Sequence, residues 1–307
     1  MCVDALEGKK VVVTGGAGFI GSNLVKAIYK SNEVDVVDSM RTGKESNLPR
    51  AAAGKGFKLF RDDARNIGLH CSDSEIIFHM GSYSSSKMYG EKPSLVGETL
   101  SVMMSVLEYA RKYDSAVILA SSASVYNGIA PPHREDATLR VRSLSGEANI
   151  ASERLGKLYS DMYGMDITAM RLFSVYGFGE TSKGEYANPV SQFIWAVKSR
   201  MHPIVYGDGS QRRDFVFVSD VVNALMKAVG HRGFDIFNVG TGQNYSLNEL
   251  LEKIYKQHGS AAKPRYEDIP VKNYLVETLA DTTKASEILG FRAEVSLDQG
   301  ISMLLGK

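Results

Sequence analysis

The sequence predicts an α/β protein with a doubly wound parallel sheet and a smaller C-terminal substrate lobe. Two observations indicate this fold. Short runs rich in Val, Ile and Phe alternate with helical stretches along the first half of the chain, and a Gly-rich turn at 14–22, TGGAGFIGS, joins the first strand to the first helix. Strands separated by crossover helices pair in parallel, with helices on both faces of the sheet.

The elements follow one another in a regular order. The predicted strands are 10–14, 34–38, 57–60, 75–80, 116–121 and 167–172, with helical patterns at 20–30, 93–112 and 147–163. From Phe173 the alternation breaks into segments that contain Gly, Pro and Asn. A strand-like run at 213–218 followed by a helical stretch at 220–229 predicts a return to the first domain. We therefore expect one domain over 1–172, joined by 213–240, and a substrate lobe formed by 173–212 and 241–307.

Composition narrows the function classes. The chain has 307 residues, is 44% hydrophobic and carries a net charge of +1, so it has a large core and no general attraction to nucleic acid or to a membrane surface. Its two cysteines, Cys2 and Cys71, have no metal-site spacing, and we predict no metal. Neither a signal peptide nor a run of about 18 apolar residues stands out. These features predict a soluble protein of the reducing cytoplasm.

The Gly-rich turn indicates a dinucleotide. Its glycines fall at 15, 18 and 21, the G-x-x-G-x-x-G variant of the fingerprint found in Rossmann-type domains. The N-terminus of the helix that follows favours negative charge, and glycines let a pyrophosphate approach the backbone. The same spacing also suits a purely steric strand-to-helix turn.

Asp38 strengthens the dinucleotide interpretation. It ends the second predicted strand, about twenty positions after the turn, where a carboxylate accepts hydrogen bonds from both ribose hydroxyls. The same charge repels a 2′-phosphate and favours NAD over NADP, although Arg41 and Lys44 just beyond it would weaken that preference. The alternative is that Asp38 only caps a turn.

Nearly the whole chain resembles the extended short-chain dehydrogenase/reductases, in particular their nucleotide-sugar epimerase and dehydratase group. The matching pieces occur in the family's order: TGGAGFIGS at 14–22, Asp38, Asp63-Ala64, FHMGS at 78–82, ASSASVY at 120–126, RLFSVYG at 171–177, YGDGSQRRDFVFV at 206–218, FNVGTG at 237–242 and LADTTKASEILGF at 279–291. The resemblance implies a Rossmann-type NAD-binding domain and a nucleotide-sugar substrate.

The resemblance also implies which residues surround NAD. They are Gly15, Gly18, Phe19, Ile20 and Gly21 at the pyrophosphate; Asp38, Ser39, Met40, Arg41, Thr42 and Gly43 at the ribose; Asp63 and Ala64 at the adenine; Met80, Gly81 and Ser82 toward the nicotinamide; and Ser121 beside the reacting carbon. Thr99, at a position where the family often has an Asn, and Phe173 complete the set. The plainer interpretation of the serines that end the fifth strand is that small residues permit close packing.

For the substrate lobe, the resemblance implies contacts with a UDP-linked sugar. Asn188 and Arg213 would contact the diphosphate, Tyr206 the uracil and Ser174 the sugar, while Lys272 lies near a position where the family often has a second phosphate-binding arginine. The alternative for Arg213 is a surface salt bridge with Asp214 or Asp208. The resemblance further implies a homodimer formed through the helices near 93–112 and 147–163.

One departure from the family concerns its catalytic residues. Members use a Ser or Thr, a Tyr and a Lys, and the lysine lowers the pKa of a phenol whose ordinary pKa is about 10. Ser122 fits the first role, but the Tyr and Lys positions hold Ser145 and Asn149, which do not replace an acid/base pair. A single Tyr-x-x-x-Lys match occurs elsewhere, Tyr83 to Lys87, and we hypothesise that it substitutes. The alternative is a chance match among 15 tyrosines.

Several functions follow from this pattern. The leading prediction is an NAD-dependent nucleotide-sugar epimerase that oxidises the sugar at C4 and returns the hydride to the other face. The alternatives are a nucleotide-sugar dehydrogenase or reductase, a non-catalytic protein that binds NAD and a nucleotide sugar, and an NAD-dependent regulator of another protein. A dehydratase is less favoured, because its Asp-Glu pair is replaced by Ala123-Ser124.

Overall fold

A seven-stranded parallel sheet organises the computed structural model, which describes residues 6–50, 56–259, 262–269 and 273–307. Its strands are β1 (Lys10–Thr14), β2 (Glu33–Val37), β3 (Phe57–Phe60), β4 (Ile76–His79), β5 (Ala116–Ser122), β6 (Ile167–Leu172) and β11 (Phe234–Val239). Across the sheet they lie in the order β11-β6-β5-β4-β1-β2-β3. The order reverses direction between β1 and β4, so a crevice opens at their carboxyl ends. The predicted doubly wound parallel sheet is confirmed.

Helices cover both faces of this sheet. They are α1 (Phe19–Ile28), α2 (Ile67–His70), α3 (Ser86–Glu91), α4 (Leu95–Tyr113), α5 (Leu144–Tyr163), α6 (Pro189–Lys198), α7 (Val218–Lys227), α8 (Leu247–His258), α9 (Thr283–Leu289) and α10 (Leu297–Leu305). Short 3₁₀ segments occur at Glu45–Asn47, Ala64–Asn66, Ala123–Tyr126 and Glu180–Tyr186. Along the part of the chain that the structure describes, no helix is both long and apolar enough to cross a membrane.

The remaining strands form three small sheets in the second half of the chain. They pair β7 (Ser174–Tyr176) with β10 (Phe215–Phe217), β9 (Arg212–Arg213) with β12 (Tyr245–Ser246), and β8 (Ile204–Tyr206) with β13 (Arg265–Glu267). The returning segment at 213–240 supplies β10, α7 and finally β11, which pairs with β6 at the edge of the large sheet.

The predicted elements of the first half are present, with ends that differ by a few residues. The largest difference is at α5, which begins at Leu144 rather than 147, because the Ser143 hydroxyl accepts a hydrogen bond from the Gly146 backbone N–H (3.1 Å) and caps the helix three residues early. Sequence reasoning did not predict α3. That helix is only six residues long, and its pattern is hidden in a serine-rich stretch.

Alternate residues of β1 pack on opposite faces of the sheet. Val11 and Val13 belong to the core beneath α1 and α7, whereas Val12 faces the core beneath α4 and α5. A third core holds the C-terminal lobe together and includes Phe193 and Ile301. Burial on both faces explains why the strands are almost continuously apolar.

Candidate cofactor and substrate site

The Gly-rich turn brings three backbone segments into contact. Gly15 has a φ of +68°, and a Cβ added there would lie 2.6 Å from Gly81 Cα at the end of β4. A Cβ on Gly21 would lie 2.3 Å from the Gly15 carbonyl oxygen. Both positions therefore require glycine, because any side chain would push α1 away from the strands.

Helix α1 presents an open N-terminus at this turn. Gly18 is its N-cap and has no side-chain hydrogen bond, and the first turn contains no acidic residue. The first N–H groups of an α-helix have no partner within the helix, and they carry the positive end of its dipole. The turn thus has the donors and the charge that a pyrophosphate needs.

Asp38 is buried next to the turn, with an exposed fraction of 6%. Its Oδ2 accepts a hydrogen bond from the Ala17 N–H (2.9 Å) and its Oδ1 accepts one from the Met40 N–H (2.8 Å). Each carboxylate oxygen accepts about two hydrogen bonds, so both keep capacity for a ribose hydroxyl. The two backbone bonds hold the carboxylate in one orientation.

A single cleft, here called the cofactor cleft, brings most of the predicted NAD contacts together. Its wall includes Gly15, Gly18, Phe19, Ile20, Gly21, Asp38, Ser39, Arg41, Thr42, Asp63, Ala64, Met80, Gly81, Ser82 and Thr99. Sequence reasoning missed Val37, Ser84, Met88, Val102 and Lys183. Val102 lies one helical turn after Thr99, so helical periodicity could have predicted it. Lys183 gave no such signal, because it is far along the chain.

Four residues that were predicted to contact NAD do not line the cofactor cleft. They are Met40, Gly43, Ser121 and Phe173. Met40 and Gly43 support Asp38, since a Cβ on Gly43 would lie 2.7 Å from the Asp38 Oδ1. Phe173 is 3% exposed and packs 6.0 Å, centroid to centroid, from the ring of Tyr126. Direct contact of these residues with NAD stays a prediction; in the structure they pack against the residues around the cleft.

The hydroxyl of Ser121, the fourth predicted NAD contact outside the cleft wall, belongs to a buried polar network. It donates to the Glu153 carboxylate (2.6 Å), which pairs through both oxygens with Arg171 (2.9 and 2.7 Å). Both side chains of this ion pair are 3% exposed. The third Arg171 nitrogen, Nη1, donates to the Tyr126 hydroxyl (2.8 Å). The network joins the carboxyl ends of β5 and β6 to α5, and contact between Ser121 and NAD stays a prediction.

Thr14 and His79 join the ends of β1 and β4 below the cleft. The Thr14 hydroxyl lies 2.7 Å from His79 Nδ1. Complete burial lowers the pKa of His79 to about 4, so the ring is neutral near pH 7. This neutral bond sits directly under Gly15 and Met80.

Ser122 stands at the end of β5 where the resemblance requires it. Its hydroxyl accepts a hydrogen bond from the Ser124 N–H (3.1 Å) and caps the short 3₁₀ segment that follows. The Asn149 amide lies 3.4 Å from the Ser124 hydroxyl. Ser122, Ser124 and Asn149 therefore form one neutral polar group near the expected sugar position.

Ser145 and Asn149 are both engaged within the protein. The Ser145 hydroxyl lies 2.7 Å from that of Ser86, which ties α3 to α5, and Ser145 is 4% exposed. Asn149 donates to the Ser145 carbonyl oxygen (2.7 Å). Neither side chain carries a charge or a readily lost proton. Ser145 therefore ties α3 to α5, whereas Asn149 bonds within α5 and to Ser124.

The proposed substitute pair, Tyr83 and Lys87, does not form. Tyr83 donates to Glu98 (2.6 Å), and Lys87 pairs instead with Glu185. Burial, together with this hydrogen bond to Glu98, raises the pKa of Tyr83 to about 12. A spacing of four brings two side chains together only within a helix, and α3 begins after Tyr83, with Ser85 as its N-cap. Tyr83 lines the cofactor cleft, but it and Lys87 have separate partners, so the hypothesis that Tyr83 replaces the missing phenol stays a prediction without Lys87 beside it.

We expect Tyr83→Phe to retain whatever sugar turnover the wild-type protein shows. Loss of a true general base lowers a rate by about 100-fold or more, whereas this change should lower it by less than about tenfold. The measurement is turnover of a UDP-sugar panel by the variant and by Ser122→Ala in parallel. If Tyr83→Phe lowers the turnover rate about 100-fold while Ser122→Ala does not, Tyr83 is the general base.

Arg213 is a buried cation with no acidic partner among the described residues. It is 9% exposed, and its guanidinium donates to the carbonyl oxygens of Arg212 (2.8 Å), Val276 (3.0 Å) and Leu275. The guanidinium carbon lies 5.0 Å from the centroid of the Tyr274 ring. Burial lowers the pKa of Arg213.

The alternative of a surface salt bridge at Arg213 is therefore wrong. The neighbouring carboxylate of Asp214 is also buried, but it is occupied by the N–H groups of Thr241 (2.8 Å), Gly242 (3.0 Å) and Ala280 (3.1 Å). Asp208 accepts from the Ser210 hydroxyl instead (2.6 Å). Arg213 keeps an uncompensated positive charge that an anion would satisfy.

The other predicted substrate residues occupy the same half of the molecule. Asn188 caps α6, with its side-chain oxygen accepting from the Val190 N–H (3.0 Å). Tyr206 ends β8 and is partly exposed, and Ser174 begins β7. Lys272 lies outside the described residues. The substrate contacts of these side chains stay predictions.

Residues 11–240 match the model of the NAD dependent epimerase/dehydratase family. The chain belongs to this family. NAD is the cofactor of the family, and the open helix N-terminus, the glycine contacts and the buried Asp38 all fit it. The assignment of the phosphates, ribose and adenine to the residues after β1, β2 and β3 stays a prediction.

Similar members of the NAD dependent epimerase/dehydratase family span the whole chain. A UDP-glucose 4-epimerase from Mycolicibacterium smegmatis is 32% identical, over 95% of this chain and 96% of that protein. The structure of a UDP-glucose 4-epimerase with UDP-glucose from Thermotoga maritima is 28% identical, with a TM-score of 0.89 over 97% of each chain. That of the Thermus thermophilus UDP-glucose 4-epimerase with NAD is 28% identical, with a TM-score of 0.84 over 97% of this chain and 98% of that chain.

Proposed function

We propose that this member of the family binds a UDP-linked sugar beside NAD and interconverts its C4 epimers, as a UDP-glucose 4-epimerase does. The observation that carries the proposal is the buried and uncompensated Arg213. A diphosphate supplies the missing negative charge, and the planar guanidinium binds phosphate oxygens through paired hydrogen bonds. The similarity to the epimerase that holds UDP-glucose supports the same ligand class.

In this proposal the two halves of the molecule divide the task. NAD held in the cofactor cleft would supply reversible hydride transfer. The Arg213 half holds the diphosphate, while Ser122 at the end of β5 orients a sugar hydroxyl. Ser124 and Asn149, 3.4 Å apart, extend the hydrogen-bonding group around that hydroxyl. Oxidation at C4 also removes the proton of the C4 hydroxyl. That proton must pass to these neutral groups or to water, so we predict slower turnover than with a phenolate base.

A second candidate is a protein that binds NAD and the nucleotide sugar without turning the sugar over. The specific observation in its favour is that Ser145 is buried and bonded to Ser86 (2.7 Å) at the position where members of the family use their tyrosine. In this candidate the residues that bind NAD and the diphosphate are kept. Ser145 and Asn149, at the positions of the family's Tyr and Lys, have only a structural role.

One assay separates these functions. The full-length protein is incubated with NAD and with UDP-glucose, UDP-galactose and their N-acetyl forms, and both the epimer composition and the absorbance of reduced nicotinamide are followed. Epimer formation that Ser122→Ala abolishes supports the epimerase. Reduced nicotinamide that accumulates without epimer indicates a dehydrogenase. Binding of UDP-sugars in calorimetry with no conversion of any of them overturns the epimerase and supports the binding protein.

We also propose that the protein is a homodimer formed through α4 and α5. Leu158 and Met162 lie four residues apart on α5 and are 49% and 59% exposed, and Met104 on α4 is 37% exposed. Residues four apart share one helix face, and an apolar strip of this kind is typical of an interface.

We expect the double variant Leu158→Asp/Met162→Asp to sediment as a monomer while the wild-type protein sediments as a dimer. Burying two carboxylates in an apolar interface opposes association, because each loses its hydration. Analytical ultracentrifugation measures the result. Ile288→Asp, on the 52%-exposed Ile288 of α9, is the matched control and should remain dimeric. A monomeric wild-type protein would refute the proposal.

A further inference from the structure

Lys183 lies in the wall of the cofactor cleft, although it belongs to the second half of the chain. It is carried by the 3₁₀ segment Glu180–Tyr186, and its side chain is only 14% exposed. Its Nζ lies 5.5 Å from the centroid of the Phe19 ring. Phe19 is the first residue of α1, so the ammonium group is placed beside the Gly-rich turn.

The ion pair of Lys183 leaves most of its donors unused. Its ammonium group lies 3.1 Å from the Glu180 Oε1, and that carboxylate also accepts from the Asn188 N–H (2.8 Å) and the Ser191 hydroxyl (2.6 Å). An ammonium group has three N–H donors, and Glu180 takes one. Within the described residues no other acceptor bonds to Lys183, so the remaining donors are available to a ligand in the cleft.

Lys183 is also the cation best placed for phosphate. The other basic residue in the wall, Arg41, lies near Asp38 on the ribose side, stacks 4.6 Å from the centroid of the Tyr83 ring and lies 3.9 Å from Glu98. The Gly-rich turn itself offers only backbone N–H groups and the partial charge of α1. A full positive charge from Lys183 would complement the two negative charges of a pyrophosphate.

The segment that carries Lys183 is anchored on both sides of the cleft. Glu185 pairs with Lys87, and the Tyr186 hydroxyl donates to Glu91 (2.7 Å), which ties the segment to α3. On the other side the Asn47 amide lies 3.4 Å from the Ser182 hydroxyl. These contacts place the ammonium group over the turn before any cofactor binds, which limits the entropy lost on binding.

We propose that Lys183 is a direct ligand of the NAD pyrophosphate, contributed by the C-terminal half of the chain. The cofactor is then held by groups from both halves of the sequence rather than by the Rossmann-type domain alone. This assignment depends on the family's cofactor and not on the reaction at the sugar, so it stands or falls separately from the proposed epimerase.

The test compares Lys183→Met with Lys253→Met in the full-length protein freed of copurified nucleotide. Lys253 is a matched control because its ammonium group also pairs with one carboxylate, Asp298 (2.8 Å), and lies 5.1 Å from the centroid of an aromatic ring, but it stands on α8, outside the cleft wall. Calorimetry measures the dissociation constants of NAD and of adenosine, which lacks phosphate.

We expect Lys183→Met to weaken NAD binding about 10- to 100-fold, to leave adenosine binding unchanged and to make the salt dependence of NAD binding shallower. Lys183→Arg should restore most of the affinity, and Lys253→Met should have no effect. An NAD affinity within about twofold of wild type in Lys183→Met overturns the proposal. Equal weakening of NAD and adenosine also overturns it, since that result shows a purely structural role.

Discussion

Replacing Arg213 with glutamine is expected to weaken UDP binding about 30- to 100-fold without lowering the free energy of unfolding. Loss of the guanidinium removes the charge that pairs with the diphosphate. It also removes a desolvated cation that has no acidic partner among the described residues, and relief of that cost offsets the lost bonds to the carbonyl oxygens of Leu275 and Val276. Affinity and stability should therefore change independently.

Calorimetric titration with UDP and urea denaturation measure the two effects. Arg212→Gln is the matched control, since Arg212 pairs with Glu249 (3.0 Å) and Asn244 (2.9 Å) and is half-exposed. It should leave UDP affinity unchanged. If Arg213→Gln binds UDP as wild type does, or if both variants lose affinity equally, the diphosphate does not bind at Arg213.

Gly21→Ala is expected to abolish NAD binding and to lower the free energy of unfolding by about 3 kcal/mol. The added methyl group would lie 2.3 Å from the Gly15 carbonyl oxygen and 2.8 Å from the Gly16 Cα. Both neighbours are backbone atoms, so only a shift of α1 relieves the clash, and the shift moves the N–H groups away from the pyrophosphate position.

The measurements are a urea melt and an NAD titration. Gly97→Ala on α4 is the control, because a Cβ there meets nothing within 4 Å and alanine is the better helix former by about 1 kcal/mol. It should stabilise the protein and leave NAD affinity intact. Retention of NAD affinity in Gly21→Ala within about tenfold of wild type would contradict the steric argument.

Local features of the cofactor site were predictable from the sequence. The Gly-rich turn and Asp38 lie within 25 residues of each other, and their meaning depends on a strand, a turn and a helix that are adjacent in the chain. Short-range geometry of this kind is encoded in residue spacing, so the turn and most of the cleft wall were located correctly.

Contacts between distant segments were not predictable. Ser121 was expected to face the cofactor, and only the structure shows that Glu153 on α5 takes its hydroxyl. Lys183 enters the cleft through a 3₁₀ segment that has no helical or strand periodicity. In both cases the contact depends on which side chains from distant segments meet in the folded protein. Residue spacing along the sequence does not specify such contacts.

The Thr14–His79 bond beneath the cleft makes the protein sensitive to acid. A histidine whose pKa is about 4 in the fold and about 6.5 in the unfolded chain takes up its proton only on unfolding, so stability is lost as the pH falls from about 6.5 toward 4. The loss reaches at most about 1.4 kcal/mol per pH unit. The group responsible for this loss lies where β1 and β4 meet, next to the Gly-rich turn. His79 thus couples the stability of the NAD-binding sheet to pH below about 6.5.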